Sequence, residues 1–286
     1  MAETTPKPVN IYWSHDLQNV EKLPWYQKEL QEINPEAREL FEKYSQIPSE
    51  EVVSHITQFR DEGFKVFPYP CLGKWGFLNF NIRRSPQYDE ILRRVKNGDK
   101  LLDIGCCVGQ DIRKLVYDGA PSENLVGSDL KKEFMDIGYD LFRDGTTLKA
   151  TFIAADIFDP ESDLKTIDGS MDIVYASHFF HLFNWDEQVD AAKRMVALLK
   201  PKAGSLVVGR HTGHTVAEET TPRFKLDKPK FRHNAESFAR LWKQVEEETG
   251  TNFKIDSFYD DEAYTDKNAN FMPEGTRTIG FSIERL

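Results

Sequence analysis

The chain is poor in cysteine, has no long apolar run and carries no excess of positive charge. Three cysteines occur in 286 residues, Cys71, Cys106 and Cys107, and the last two are adjacent. Neighbours of that kind form neither a disulfide framework nor the spaced ligands of a zinc site, so a reducing compartment and no metal are expected. Nowhere do eighteen apolar residues run together, which excludes a membrane-spanning helix and argues against stable membrane insertion. The first ten residues, MAETTPKPVN, hold neither a basic nor an apolar targeting segment, and a cytoplasmic protein is the expectation. Lysine and arginine total 37 against 47 acids, a net charge of −10. The electrostatics that neutralise phosphates are therefore missing, and no nucleic-acid partner is expected. There is no repeat of fixed period and no low-complexity tract.

What is present is enough apolar material, 40% of the chain, for one substantial core. Residues 1 to about 34 carry Trp13, Trp25 and Tyr26 among charges and prolines, and read as an ordered arm. Ala37, Leu40, Phe41 and Tyr44 follow a helical period after Pro35. A second helix presents Val52, Val53, Ile56 and Phe59, with Ser49 placed to cap it and Gly63 to end it. The stretch 65–80 is aromatic, broken by Pro68, Pro70, Gly73 and Gly76, and reads as a structured loop. From Ser85, placed to cap a helix opening at Pro86, apolar runs alternate with helices. The runs are 101–104, 125–128, 151–154, 171–176 and 205–209. The helical patterns between them are 109–118, 131–143 and 185–199. Such alternation predicts a parallel sheet buried on both faces. A helix near 235–248, a strand at 253–259 and a final strand at 276–284 close the chain.

The most informative segment is LLDIGCCVGQDIRKL (101–115), a strand ending in an acid and a glycine-bearing turn that opens into a helix. Asp103, Gly105 and Gly109 take the acid, first-glycine and last-glycine positions of the pattern hh(D/E)hGxGxG, with Cys107 in place of the middle glycine. This resembles the first motif of class I methyltransferases. A dinucleotide site would bring its turn onto a pyrophosphate. An acid at that point repels a pyrophosphate but can bond the amino group of a methionine moiety. Asp129, with Leu130 after it, ends the second run, where a carboxylate can accept ribose hydroxyls. Asp156 and Ile157 follow the third run, the adenine position in that class. Ser177 and His178 follow the fourth.

The resemblance implies an α/β fold with a Rossmann-like, seven-stranded, mostly parallel sheet and an antiparallel last strand. It implies S-adenosyl-L-methionine as cofactor, a methyltransferase domain over 86–286, and a helical and aromatic lid over 1–85 on the acceptor side. Methyl transfer is an in-line displacement, so the protein mainly holds donor and acceptor collinear and desolvated. The (N/D)PP(Y/F) motif of many nitrogen methyltransferases is replaced by Ala176-Ser177-His178-Phe179-Phe180-His181, which disfavours an amide or nucleobase acceptor. His181, Arg210 and His211 stand on the carboxyl edge of the predicted sheet as candidate catalytic residues. Trp25, Tyr26, Tyr69, Trp75, Phe179 and Arg223 are candidates for the acceptor pocket.

A closer resemblance rests on GCCVGQD, on DGAPSENLVGSDL (118–130) and on the aromatic loop: these are similar to fungal methyltransferases encoded in meroterpenoid biosynthetic clusters. That likeness extends from Pro24-Trp25 to the C-terminus. It implies a small, hydrophobic carboxylic acid as substrate, a prenylated aromatic polyketide whose carboxyl becomes a methyl ester. A carboxylate is ionised at neutral pH and needs a clamp and an apolar wall, not a base. A phenol or alcohol acceptor, a cofactor-assisted cyclisation without methyl transfer, and a homodimeric state all stay open.

Overall fold

The computed structural model describes residues 23, 25–220, 228–260, 272 and 274–286. Its first helix, α1 (Pro35–Glu39), starts where Asn34 accepts from the Ala37 amide and Pro35 takes the first turn, and it passes into a π turn over Leu40–Tyr44. Helix α2 (Val52–Val66) follows. Ser49 does not cap it; its hydroxyl donates to Glu42 at 2.8 Å, and Glu51 stands at the cap position. Nor does Gly63 end it: the helix runs on to Val66, and Leu72 of the next element lies beside the glycine.

Residues 65–80 form no strand. They fold as α3 (Pro70–Gly73) and a 3-10 turn over Gly76–Asn79, with a second 3-10 turn over Asn81–Arg84. Trp75 and Phe80 sit in the left-handed region at φ 64° and 42°, which sharpens both corners. Helix α4 (Tyr88–Lys96) begins later than expected, since Ser85 accepts from the Gln87 amide in a turn that precedes the helix.

The alternating part is β1 (Leu101–Ile104), α5 (Gln110–Tyr117), β2 (Leu125–Asp129), α6 (Lys132–Phe142), β3 (Thr151–Ala154), β4 (Ile173–Ser177), α7 (Trp185–Leu198) and β5 (Leu206–His214). A short hairpin of β6 (Glu218–Thr220) and β7 (Lys230–Arg232), which the sequence pattern did not announce, stands apart from the main sheet. Then come α8 (Ala235–Thr249), β8 (Phe253–Tyr259) and β9 (Thr276–Arg285). Both α7 and α8 open with a reciprocal capping box, Asn184 with Glu187 and Asn234 with Ser237.

The seven strands lie in the order β3-β2-β1-β4-β5-β9-β8, with β9 antiparallel to both neighbours and the other pairings parallel. This is the predicted sheet. The order reverses between β1 and β4, which in open α/β sheets puts the ligand crevice at their carboxyl ends. Side chains alternate across the strands. Leu101, Ile173, Tyr175 and Val208 pack with α4 and α5, whereas Leu102, Val174, Ala176 and Val207 pack with α7 and α8. A third apolar cluster joins the N-terminal unit to the sheet's helices: Trp25, Leu40, Phe41, Ile56, Phe64 and Trp75 share a core with Val108, Phe134, Leu141 and Phe142. The N-terminal unit is thus packed on α6 and beside the glycine turn. Among the described residues no helix is long and apolar enough to cross a membrane.

Candidate cofactor and acceptor site

The β1–α5 turn is built from its own backbone. Gly105 and Cys106 both donate their amides to the Ser128 carbonyl, at 2.7 and 3.0 Å, fastening the turn to β2. Gly105 and Gly109 have φ of 76° and 65°, and Cys107 between them has φ 51°. Cys107 therefore adopts the conformation that the middle glycine of the pattern would supply at lower cost. A Cβ on Gly109 would lie 2.6 Å from Arg113 Nη1, so that position has no room for a side chain.

Arg113 buttresses the turn from below. Its guanidinium donates to the Val108 carbonyl and makes a two-pronged pair with Asp144 at 2.8 and 2.9 Å, all fully buried. Tyr44 of the N-terminal unit donates to the same Asp144 at 2.7 Å. Neither residue was singled out from the sequence, because an arginine on an amphipathic helix ordinarily reads as a solvated one.

Asp103, the third residue of β1, lies on the α5 face, 3% exposed, and its Oδ2 has no hydrogen-bond partner. Burial, with Asp111 and Asp129 adding negative charge, pushes its carboxyl well above the usual carboxylate range. An orphaned, buried acid oxygen calls for a donor, and the amino group of a methionine moiety fits that requirement. Asp129 at the end of β2 accepts from the Cys107 amide at 2.9 Å through Oδ2 and from the Lys131 amide at 3.1 Å through Oδ1. Each of its oxygens keeps a lone pair for a ribose hydroxyl. Leu130 is half exposed beside it, in position to cover a flat ring. Asp156 turns the chain after β3 by accepting from the Phe158 amide at 2.9 Å, and Ile157 is buried under it. The residues thus fit S-adenosylmethionine in order along three adjacent strand ends.

Ser177, which ends β4, is half-buried, and His178 after it is exposed. The amide of His178 donates to the Arg210 carbonyl at 2.7 Å, and its φ of 52° is left-handed. Phe179 leans over Gly105, whose Cβ, if present, would lie 3.0 Å from that ring. His181 is half-buried with Nδ1 unpartnered. His211 is 1% exposed, neither ring nitrogen has a partner, and Phe180, Phe238 and Phe281 enclose it. Burial pushes both rings well below the usual histidine range, and the neighbouring Arg232, His178, His211 and His233 act the same way. Arg210 points to the opposite face of β5 from His211, where it is paired with Asp260.

The aromatic candidates separate into groups. Tyr26 and Trp75 flank the buried Arg60, whose guanidinium lies 3.8 Å from the Trp75 ring centre and donates to the carbonyls of Gln27 and Lys28, while Trp25 donates its Nε1–H to the Pro68 carbonyl at 3.0 Å. Tyr69 instead stands against Phe134, beside Asp129 and Cys107. Arg223 lies outside the described residues. His233, missed in the sequence, is a buried strut held by Ser237 at 2.9 Å and Gln188 at 3.1 Å. Among the described residues no cluster of histidine, cysteine and acid could hold a metal.

Comparison with known proteins agrees with this geometry. Residues 25–78 match a family model described as meroterpenoid methyltransferase N-terminal domain, and 101–202 match a methyltransferase domain. The O-methyltransferase phiE of a fungal species is 45% identical over 91% of this chain and 92% of its own. Methyltransferase adrK of Penicillium roqueforti is 44% identical over the same shares. The Asnovolin E/Chermesin D methyltransferase nvfJ of Aspergillus novofumigatus is 48% identical over 79% of this chain and 82% of its own. Among solved structures, phosphoethanolamine N-methyltransferase 2 of Haemonchus contortus with S-adenosyl-L-methionine superposes with a TM-score of 0.52, over 87% of this chain and 59% of that one, at 14% identity. That likeness is one of fold.

Proposed function

The chain belongs to the fungal meroterpenoid-cluster methyltransferases, which use S-adenosylmethionine, and on that premise we propose that it esterifies the carboxyl group of a prenylated aromatic acid. Its relative nvfJ is named an Asnovolin E/Chermesin D methyltransferase. The observation that carries the choice of a carboxylate over a hydroxyl is the state of the histidines. Burial first, and then cationic and histidine neighbours, hold His178, His181 and His211 toward the neutral form, and among the described residues no carboxylate hydrogen-bonds any of the three rings. A buried imidazole held neutral is a poor base for an alcohol but a serviceable hydrogen-bond donor to an oxygen that arrives ionised.

The cofactor, when bound, supplies an electrophilic methyl on a sulfonium sulfur. Asp103 would hold its amino group, Asp129 its ribose, and Asp156 with Ile157 its adenine. Gly105 and Gly109 allow the left-handed turn that would bring the backbone to it, and Leu130, Ser177 and His178 would border it. On the acceptor side His181 would be the direct donor through its buried, unpartnered Nδ1, with His211 behind it in the aromatic box. Arg210 positions His178 through its carbonyl. Phe179 walls the boundary between the two ligands, and Trp25, Tyr26, Tyr69 and Trp75 form or brace the N-terminal cover. Excluding water strips a carboxylate of hydration that slows displacement.

The test is mass spectrometry of products after incubation with S-adenosylmethionine and a panel of prenylated aromatic acids, matching phenols, and the corresponding methyl esters. Methyl ester formed from the acid, at a rate that is flat with pH above the acid's own pKa, is the expected result. Methylation of the phenols or of the pre-formed esters, rising through neutral pH, would assign a hydroxyl acceptor instead.

A further inference from the structure

A continuous chain of donors and acceptors runs from the N-terminal unit to the glycine turn. The Tyr44 hydroxyl donates to Asp144 Oδ2 at 2.7 Å, and Arg113 meets that carboxylate through Nε at 2.8 Å and Nη2 at 2.9 Å. The remaining guanidinium nitrogen, Nη1, donates to the Val108 carbonyl at 2.8 Å and to the Gly109 carbonyl at 3.3 Å. Every nitrogen of this buried cation is therefore committed, either to the carboxylate or to the turn. Burial, with Asp144 beside it, pushes the Tyr44 hydroxyl above the usual tyrosine range and keeps it a donor.

Local folding sets each link. The π turn over Leu40–Tyr44 puts Tyr44 on Asp144 and Phe41 on Phe142, whose rings stack with centres 5.1 Å apart. Arg143, left-handed at φ 53°, closes α6 and brings the next residue, Asp144, to Arg113 of α5. Gly138 lets α6 press on the turn, since a Cβ there would collide with the Val108 oxygen. That carbonyl is thus held between α6 and Arg113. In a trans peptide the N–H points away from the C=O, so fixing the Val108 carbonyl also fixes the Gly109 amide, which donates to the Cys106 carbonyl at 2.8 Å. The next residue after Cys106 is Cys107, whose amide donates to Asp129.

We infer that Tyr44 is a positioning residue for the cofactor: through Asp144 and Arg113 its hydroxyl holds the β1–α5 turn in the shape that S-adenosylmethionine meets. The N-terminal unit, matched separately from the methyltransferase domain, then contributes to cofactor binding from outside that domain. The guanidinium is the pivot, because its planar fork binds the carboxylate through two parallel N–H···O bonds and still has a nitrogen to spend on the turn, a geometry that lysine cannot reproduce. The link holds for a carboxylate or a hydroxyl acceptor alike.

The experiment measures S-adenosylhomocysteine affinity by calorimetry, well below each melting temperature, for wild type, Tyr44→Phe, Asp144→Asn and the double variant. Tyr44→Phe keeps the ring and removes only the hydroxyl. It should weaken the ligand by about threefold to tenfold, the effect of one hydrogen bond. The double variant should bind no more weakly than Asp144→Asn alone, because the hydroxyl acts through that carboxylate. Hydrogen exchange reads the turn itself and does not need Asp144→Asn to fold: the Cys107 and Gly109 amides should exchange faster in Tyr44→Phe than in wild type. A Tyr44→Phe protein with wild-type affinity, whatever its melting temperature, would make Tyr44 a packing residue. Unchanged exchange at both amides, or losses that simply add in the double variant, would equally overturn the inference.

Discussion

The backbone amide of Cys107 donates to Asp129 Oδ2 across 2.9 Å, so the carboxylate at the end of β2 is oriented by the residue that occupies the middle-glycine position of the β1–α5 turn. One contact couples the two halves of the cofactor cradle. Asp129→Ala removes both the acceptor for that amide and the partner for the ribose hydroxyls. Affinity for S-adenosylhomocysteine should fall by about 1–3 kcal/mol, the range for charge-assisted bonds. Calorimetry at neutral pH measures it, and an unchanged dissociation constant removes Asp129 from the site.

Cys107 itself is expected to be a filler. At φ 51° a glycine is better suited, so Cys107→Gly should retain turnover and keep the melting temperature within a few degrees. Cys107→Val puts a β-branched side chain into the left-handed region and should lower both stability and cofactor binding. Loss of all activity in a folded, cofactor-binding Cys107→Gly protein would mean that the thiol takes part in the chemistry.

The raised Asp103 carboxyl predicts the pH dependence of cofactor binding. In the free protein burial and the Asp111 and Asp129 charges favour its protonated form. An ammonium group docked on it favours the ionised form, so binding should release a proton and tighten as pH rises. Calorimetric titrations of S-adenosylhomocysteine in buffers of different ionisation enthalpy read that proton directly. Uptake in place of release, or affinity independent of pH between 5 and 8, on the order of the range where such groups titrate, contradicts the assignment; Asp103→Asn should abolish the release.

Asp172, at the amino end of β4, makes the opposite case. Burial would raise its carboxyl, but Lys200, Lys202 and the Lys100 amide outweigh it and hold it down to about 2. A depressed folded-state pKa contributes stability above the unfolded value near 3.9, and that contribution is lost as pH falls toward 2. Both lysines are partly solvated, so about 1–2 kcal/mol is expected from Asp172→Asn at neutral pH. The difference between variant and wild type in urea unfolding should shrink as pH falls toward 2 and vanish only below the folded-state value, where the carboxyl is protonated in both states. A difference that persists there would show the effect to be packing.

The sheet and its cofactor end were legible because their signals are local. Runs of four to six apolar residues report a strand buried on both faces, and Asp103, Gly105, Gly109, Asp129 and Asp156 follow those runs directly in the chain. The acceptor end depends on contacts made through space. Whether an aromatic in 65–80 faces a ligand or the core is decided by two left-handed corners, at Trp75 and Phe80, and by the buried guanidinium of Arg60. Trp75 is turned inward onto Arg60, while Tyr69, six residues earlier, is brought to Asp129. Arg113 and Asp144 are 31 positions apart and meet only because α5 and α6 both abut the glycine turn. Side-chain period alone contains none of this.

His211 supplies the sharpest test of the acceptor side. An imidazole that is 1% exposed with no partner for its N–H leaves a donor unsatisfied, which costs about 1–3 kcal/mol. Its walls are Phe180, Phe238 and Phe281, so an apolar residue would suit the cavity better than the histidine does. A sequence that keeps such a group against its own stability is expected to use it. His211→Leu should therefore raise the melting temperature by several degrees, on the order of 1 kcal/mol for a chain of this size, and at the same time lower kcat/KM for the acid. Affinity for S-adenosylhomocysteine should stay unchanged, since His211 lies on the α7–α8 face of the sheet and Asp103 on the α5 face. His181→Phe should give the same split with a larger loss of turnover, because His181 is the half-exposed member of the pair. A more stable His211→Leu enzyme with wild-type turnover would make His211 a core residue, leaving His181 as the sole imidazole at the acceptor.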